Sequence, residues 1–86
     1  MPIFGKEWGR STARGDIEQY ILGNKRISEN WVIRHLNSVM KTSGITKDLL
    51  FQIMSEIETH RSCEPLRTSE NMIKLNNLRE RIRKEL

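Results

Sequence analysis

Eighty-six residues, with fifteen lysines and arginines against eleven aspartates and glutamates, make one domain at most, of net charge +4. A chain of this size buries roughly 60% of the surface its unfolded form exposes, which gives room for three or four helices but not for a deep substrate pocket beside them. No apolar run approaches the length of a membrane span, the N-terminal stretch lacks the apolar core of a secretory signal, and the lone Cys63 cannot form an internal disulfide. These exclusions predict an intracellular chain, cytoplasmic or nuclear. The charge excess sits at the two ends: residues 1–27 and 68–86 each carry a net +2, while 28–67 balance. Such ends favour phosphate or an acidic partner.

Residues 1–15 hold Pro2 and the glycines Gly5, Gly9 and Gly15. Glycine loses much entropy on ordering, so composition predicts a flexible arm here. Phe4 and Trp8, four residues apart, read as an aromatic anchor for a partner's groove. The first helix is expected over 16–22, with Asp16 as its cap and Gln19 at the third helical position. Ile17, Tyr20 and Ile21 form one apolar face, and Gly23 is a natural stop.

The second helix is expected over 29–41, capped by Ser28. Val32, Ile33, Leu36, Val39 and Met40 gather on one side at about 100° per residue. Asn30, Arg34, Asn37 and Lys41 lie opposite, flanked by Trp31 and Ser38, and Ser43-Gly44 ends the element. The third helix is expected over 47–61, capped by Thr46, with Asp48 favourably placed in the first turn. Its core stripe is Leu49, Leu50, Ile53, Met54 and Ile57. Phe51 points away from that stripe as a candidate partner contact, and His60 and Arg61 suit the negative end of the helix.

A connection over 63–68 follows, in which Pro65 pushes its predecessor out of helical geometry. The region 69–86 then holds a fourth helix over 70–86, capped by Ser69. Leu75, Leu78, Ile82 and Leu86 make a narrow stripe bordered by Arg79, Arg81, Arg83 and Lys84. A stripe this narrow resembles a pairing seam more than a buried face. The predicted fold is all-α: three helices over 16–62 as the core, with an amphipathic C-terminal helix that pairs between chains.

Chemistry finds little to work with. His60-x-x-Cys63 has half-site spacing for zinc, but His35 is the sole further imidazole, and a structural zinc site needs four ligands. Neither glycine-rich phosphate-loop pattern occurs. Glu56 and Glu58 sit two apart, on different helix faces. Arg14-Gly15-Asp16 spells an adhesion tripeptide in a chain without secretory features. The sequence predicts no enzyme, no cofactor and no small-molecule substrate.

Two binding readings remain. The first is a small non-enzymatic regulator or adaptor that binds another protein and a second copy of itself through Leu75, Leu78, Ile82, Leu86, Phe51, Phe4 and Trp8. The alternative is a basic DNA-binding regulator of helix-turn-helix type. There the second helix presents Asn30, Arg34, Asn37 and Lys41 to bases, with Lys25 and Arg26 near the backbone.

Overall fold

The computed structural model describes residues 5–86, which fold as four α-helices and one 3-10 helix. They are α1 (Lys6–Ile21), α2 (Glu29–Ser43), α3 (Lys47–Thr59), the 3-10 helix Arg61–Leu66, and α4 (Ser69–Glu85). Among the described residues there is no strand. Among the described residues no helix is long and apolar enough to cross a membrane.

The largest departure from expectation is α1. It begins at Lys6, not at Asp16, so the segment that composition assigns to a flexible arm is helical from its sixth residue. The reason lies at Gly9, which is buried against the end of α2. A Cβ built there would overlap Oγ and Cβ of Ser43 and come within 3.0 Å of Ile45 Cγ2. Gly9 therefore marks a close helix approach and does not break the helix, and burial there offsets its low propensity. Ala13, Ile17 and Ile21 continue the same buried face. Asp16 consequently lies in mid-helix and caps nothing. Gln19 instead accepts a 3.2 Å bond from the side chain of Asn24, within the turn after the helix.

The other helix ends follow local chemistry. Ser28 Oγ accepts from Trp31 N at 3.1 Å and Thr46 Oγ1 from Leu49 N at 3.2 Å, as N-caps do. Gly44 closes α2 with φ of 76°, the left-handed conformation that glycine adopts without penalty. Thr68, not Ser69, caps α4, accepting from Asn71 N at 3.1 Å. The connection around Pro65 is not irregular but a 3-10 turn, capped by His60, whose Nδ1 accepts from Ser62 N at 3.1 Å. Arg67 donates to the carbonyls of Ile57 and His60 at 3.2 and 2.7 Å, satisfying acceptors left over at the end of α3.

α1 and α2 lie alongside one another. Gly9 meets Ser43, Asp16 pairs with His35, and Tyr20 reaches Glu29, so one helix climbs as the other descends. This is the register of an antiparallel helical hairpin. α1 also contacts α3 and α4. One core results, in which Leu36, Leu50, Ile53, Ile57, Leu75, Leu78 and Ile82 are fully buried. The Cα radius of gyration is 12.2 Å. A compact chain of this length is expected at about 12 Å, so α4 packs and does not project.

Candidate functional site

The stripe on α4 is the first sequence-predicted site to place. Leu75, Leu78 and Ile82 have no exposed surface, and Leu86 is half-buried against the same core. They are covered within one chain, so Leu75, Leu78 and Ile82 expose no surface to a seam between chains. The bordering arginines close the packing: Arg79 pairs with Glu58 of α3, and Arg81 reaches Glu29 of α2 at 3.1 Å. Phe51, expected to point outward, is half-buried and packs on the core. Trp8 is 40% exposed on α1, while Phe4 lies outside the described residues.

The residues assigned to nucleic acid fare differently. Lys25, Arg26, Asn30, Arg34 and Lys41 are all exposed, and Asn37 is half-buried. They lie in the α1–α2 turn and along the outer face of α2, where 3.6-residue periodicity sets them opposite Val32, Leu36 and Val39. The helix that presents them does not meet its neighbour as a helix-turn-helix does. In that motif the two helices cross at about 90–120°, whereas α1 tracks α2 from Gly9–Ser43 to Tyr20–Glu29.

Among the described residues, the arginines in ion pairs are Arg10 and Arg14 on α1 and Arg79, Arg81 and Arg83 on α4. Arg10 and Arg14 share Glu56 of α3 at 2.8 and 3.3 Å. Glu29, the acid of α2, accepts from Tyr20 Oη at 2.8 Å and from Arg81. Burial, reinforced by the bond to Glu29, pushes the Tyr20 phenol up to about 12. Among the described residues Lys25, Arg26, Arg34 and Lys41 form no ion pair, and neither do Lys6 on α1 or Lys74 and Lys84 on α4. Exposed Trp31 stands among them at 37%, its ring stacked on His35 with centroids 4.6 Å apart.

Sequence reasoning missed the pair that ties this hairpin together. His35 Nδ1 bonds the carboxylate of Asp16 across the α1–α2 contact. Burial raises the Asp16 pKa above its ordinary value, and the bond to His35 opposes that rise. A carboxylate orienting an imidazole is two-thirds of a catalytic relay. Here the His35 ring also stacks on Trp31, and its bond to Asp16 joins α1 to α2. The clue in the sequence was helical phase: His35 borders the apolar face of α2, where a polar group needs a partner. His60 and Cys63 take different partners: His60 caps the 3-10 turn, while buried Cys63 accepts from Arg14 Nη2 at 3.0 Å. Among the described residues no three histidine, cysteine or acidic side chains gather as a metal site would require. No protein-family model, curated protein or solved structure is similar to this chain.

Proposed function

We propose that this protein is a small non-enzymatic helical regulator or adaptor that holds an acidic partner protein on the outer face of α2. The observation that carries this reading is the set of four exposed, unpaired cations around α2, a helix with a single acid. The arginines of α1 and α4 are paired within the fold, whereas Lys25, Arg26, Arg34 and Lys41 stand exposed around α2 with its one acid already engaged. Charge left over on a folded surface is available to steer and orient a partner of opposite sign. Exposed Trp31 adds an aromatic of the type enriched in binding surfaces. The self-association suggested by the α4 stripe draws no support, since that stripe is covered internally.

A second reading, nucleic-acid binding by the same face, is favoured by the exposure of Asn30, Arg34 and Lys41 beside Trp31. Asparagine and arginine read base edges, and an aromatic can stack on an unpaired base. The hairpin register counts against the helix-turn-helix version.

Two double charge reversals test the proposal. Arg34→Glu with Lys41→Glu alters the α2 face; Lys74→Glu with Lys84→Glu makes the same change in net charge on α4. The readout is anisotropy of fluorescein-labelled decaglutamate and of a fluorescent DNA duplex, across a salt series. The reading expects decaglutamate binding that the first variant loses and the second keeps. Equal losses would reduce the effect to net charge and overturn it. Preference for the duplex, with a steep loss as salt rises, establishes the second reading in its place.

A further inference from the structure

Between the first turns of α2 and the last turns of α4 lies an open groove of about 320 Å³, lined by Asn30, Ile33, Arg34, Arg81 and Glu85. Ile33, 6% exposed, contributes its apolar base. Arg81 donates four hydrogen bonds there. Its Nη1 donates to Glu29 Oε1 at 3.1 Å and to Asn30 Oδ1 at 2.7 Å, while Nε and Nη2 grip the Glu85 carboxylate at 2.6 and 3.0 Å.

That network fixes the Asn30 amide. A guanidinium donates and cannot accept, so the amide oxygen must face Arg81 and the amide nitrogen must be the outer group. Arg34 follows four residues later, on the same ridge of the helix. It is exposed and, among the described residues, bonds no carboxylate. The α2 rim of the groove therefore offers donors alone: the NH2 of Asn30 and the guanidinium of Arg34. Their complement is a carboxylate, whose oxygens only accept. The groove already accommodates one, that of Glu85, which its bond to Arg81 holds below the ordinary carboxylate range and thus charged at neutral pH. Apolar Ile33 at its base suits the hydrocarbon of an acidic side chain better than a sugar–phosphate backbone.

We propose that this groove is the seat of a partner protein's aspartate or glutamate side chain, clamped by Asn30 and Arg34, with Glu85 as a built-in competitor whose charge opposes entry. The inference rests on the reading of α2 as an acidic-partner face and narrows it to two contact residues and one regulating residue. Arg81 acts through Asn30, as a positioning residue.

The test uses fluorescein-labelled decaglutamate at low salt, followed by anisotropy and by the side-chain amide signals of the 15N-labelled protein. Arg34→Gln and Asn30→Asp should each weaken binding about three- to tenfold, the range for losing one charge-assisted contact at a partly exposed site. Asn30→Asp keeps an oxygen toward Arg81, so its thermal midpoint should hold while its binding falls. Glu85→Gln should tighten binding about two- to threefold by removing the opposing charge. The Asn30 side-chain amide signal should move on titration. Unchanged binding in Asn30→Asp and Arg34→Gln, with loss in Lys41→Glu, would overturn the groove and leave the broader α2 reading standing. No binding of decaglutamate to the wild type would overturn both. Weaker binding in Glu85→Gln would end the competitor role. Tighter binding of a single-stranded oligonucleotide through Asn30 and Arg34 would assign the groove to nucleic acid and overturn an acidic protein as its occupant.

Discussion

Replacing Gly9 and Gly15 by alanine, one at a time, should shift stability in opposite directions although both glycines sit in one helix. Alanine gains up to about 1 kcal/mol over glycine inside a helix. At Gly15 nothing lies within 4 Å of the added carbon, so that gain stands alone. At Gly9 the added carbon overlaps Ser43, and the overlap includes Cβ, which is rooted in the α2 backbone and cannot swing aside. Ser43 is fully buried and its hydroxyl donates to Val39 O at 2.6 Å, which removes further freedom. The helices must part, at an overpacking cost of about 1–3 kcal/mol. Subtracting a full propensity gain of about 1 kcal/mol leaves Gly9→Ala destabilised by up to about 2 kcal/mol. Thermal unfolding followed by circular dichroism reads this as a midpoint lowered by about 4–8 °C for each kcal/mol lost, against a rise of up to about 8 °C for Gly15→Ala. Adding Ser43→Gly to Gly9→Ala removes both overlapped atoms, so the pair should be less destabilised than the sum of the singles. If Gly9→Ala stabilised the protein as Gly15→Ala does, the first half of α1 would not abut α2, and the arm expected from composition would return.

The α4 stripe gives a second test: Leu78→Asp with Ile82→Asp should abolish cooperative unfolding, because two unpaired charges would enter a closed core; a folded double variant would restore the seam between chains. Tyr20 is the chain's one tyrosine, so its ultraviolet titration is unambiguous. Ionisation should be delayed to about pH 12. The folded state then holds the phenol proton longer than the unfolded state does, and stability should fall as pH rises between about 10 and 12. Tyrosinate appearing near pH 10 while helicity persists would rule out the buried bond to Glu29. Asp16, raised by burial, obeys the same sign. The stability difference between wild type and Asp16→Asn should shrink as pH climbs from the ordinary aspartate value of 3.8; a difference that grew would mean that the His35 bond outweighs burial.

Periodicity made most of the fold legible. Val32, Ile33, Leu36 and Val39 on α2, and Leu50, Ile53, Met54 and Ile57 on α3, are buried as their spacing predicts. The caps Ser28 and Thr46 and the stop at Gly44 were equally legible, since each is settled by its own side chain or its lack of one. The first half of α1 was not. Glycine reads locally as a helix breaker, and only the contact with Ser43, distant in sequence, shows that its missing side chain is what lets two helices meet. Thr68 displaced Ser69 as a cap for a smaller reason: both can serve, and the choice falls to the preceding 3-10 turn.

The candidate site moved from α4 to α2, and the same physics explains both halves of that change. A narrow apolar stripe flanked by arginines has two meanings in sequence: a seam awaiting another chain, or a ridge already enclosed by neighbours. The arginines decide between them only once their partners are seen. Arg79 with Glu58 and Arg81 with Glu29 join α4 to α3 and α2, so those charges seal an internal contact. Arg34 and Lys41 carry the same charge on a helix of similar length and join it to nothing among the described residues. Sequence counts both sets alike, because an ion pair between residues fifty positions apart leaves no local mark. Pairing separates the arginines that build the fold from Arg34, which stands unpaired beside Asn30, and on that criterion the face to mutate first is Asn30 to Lys41.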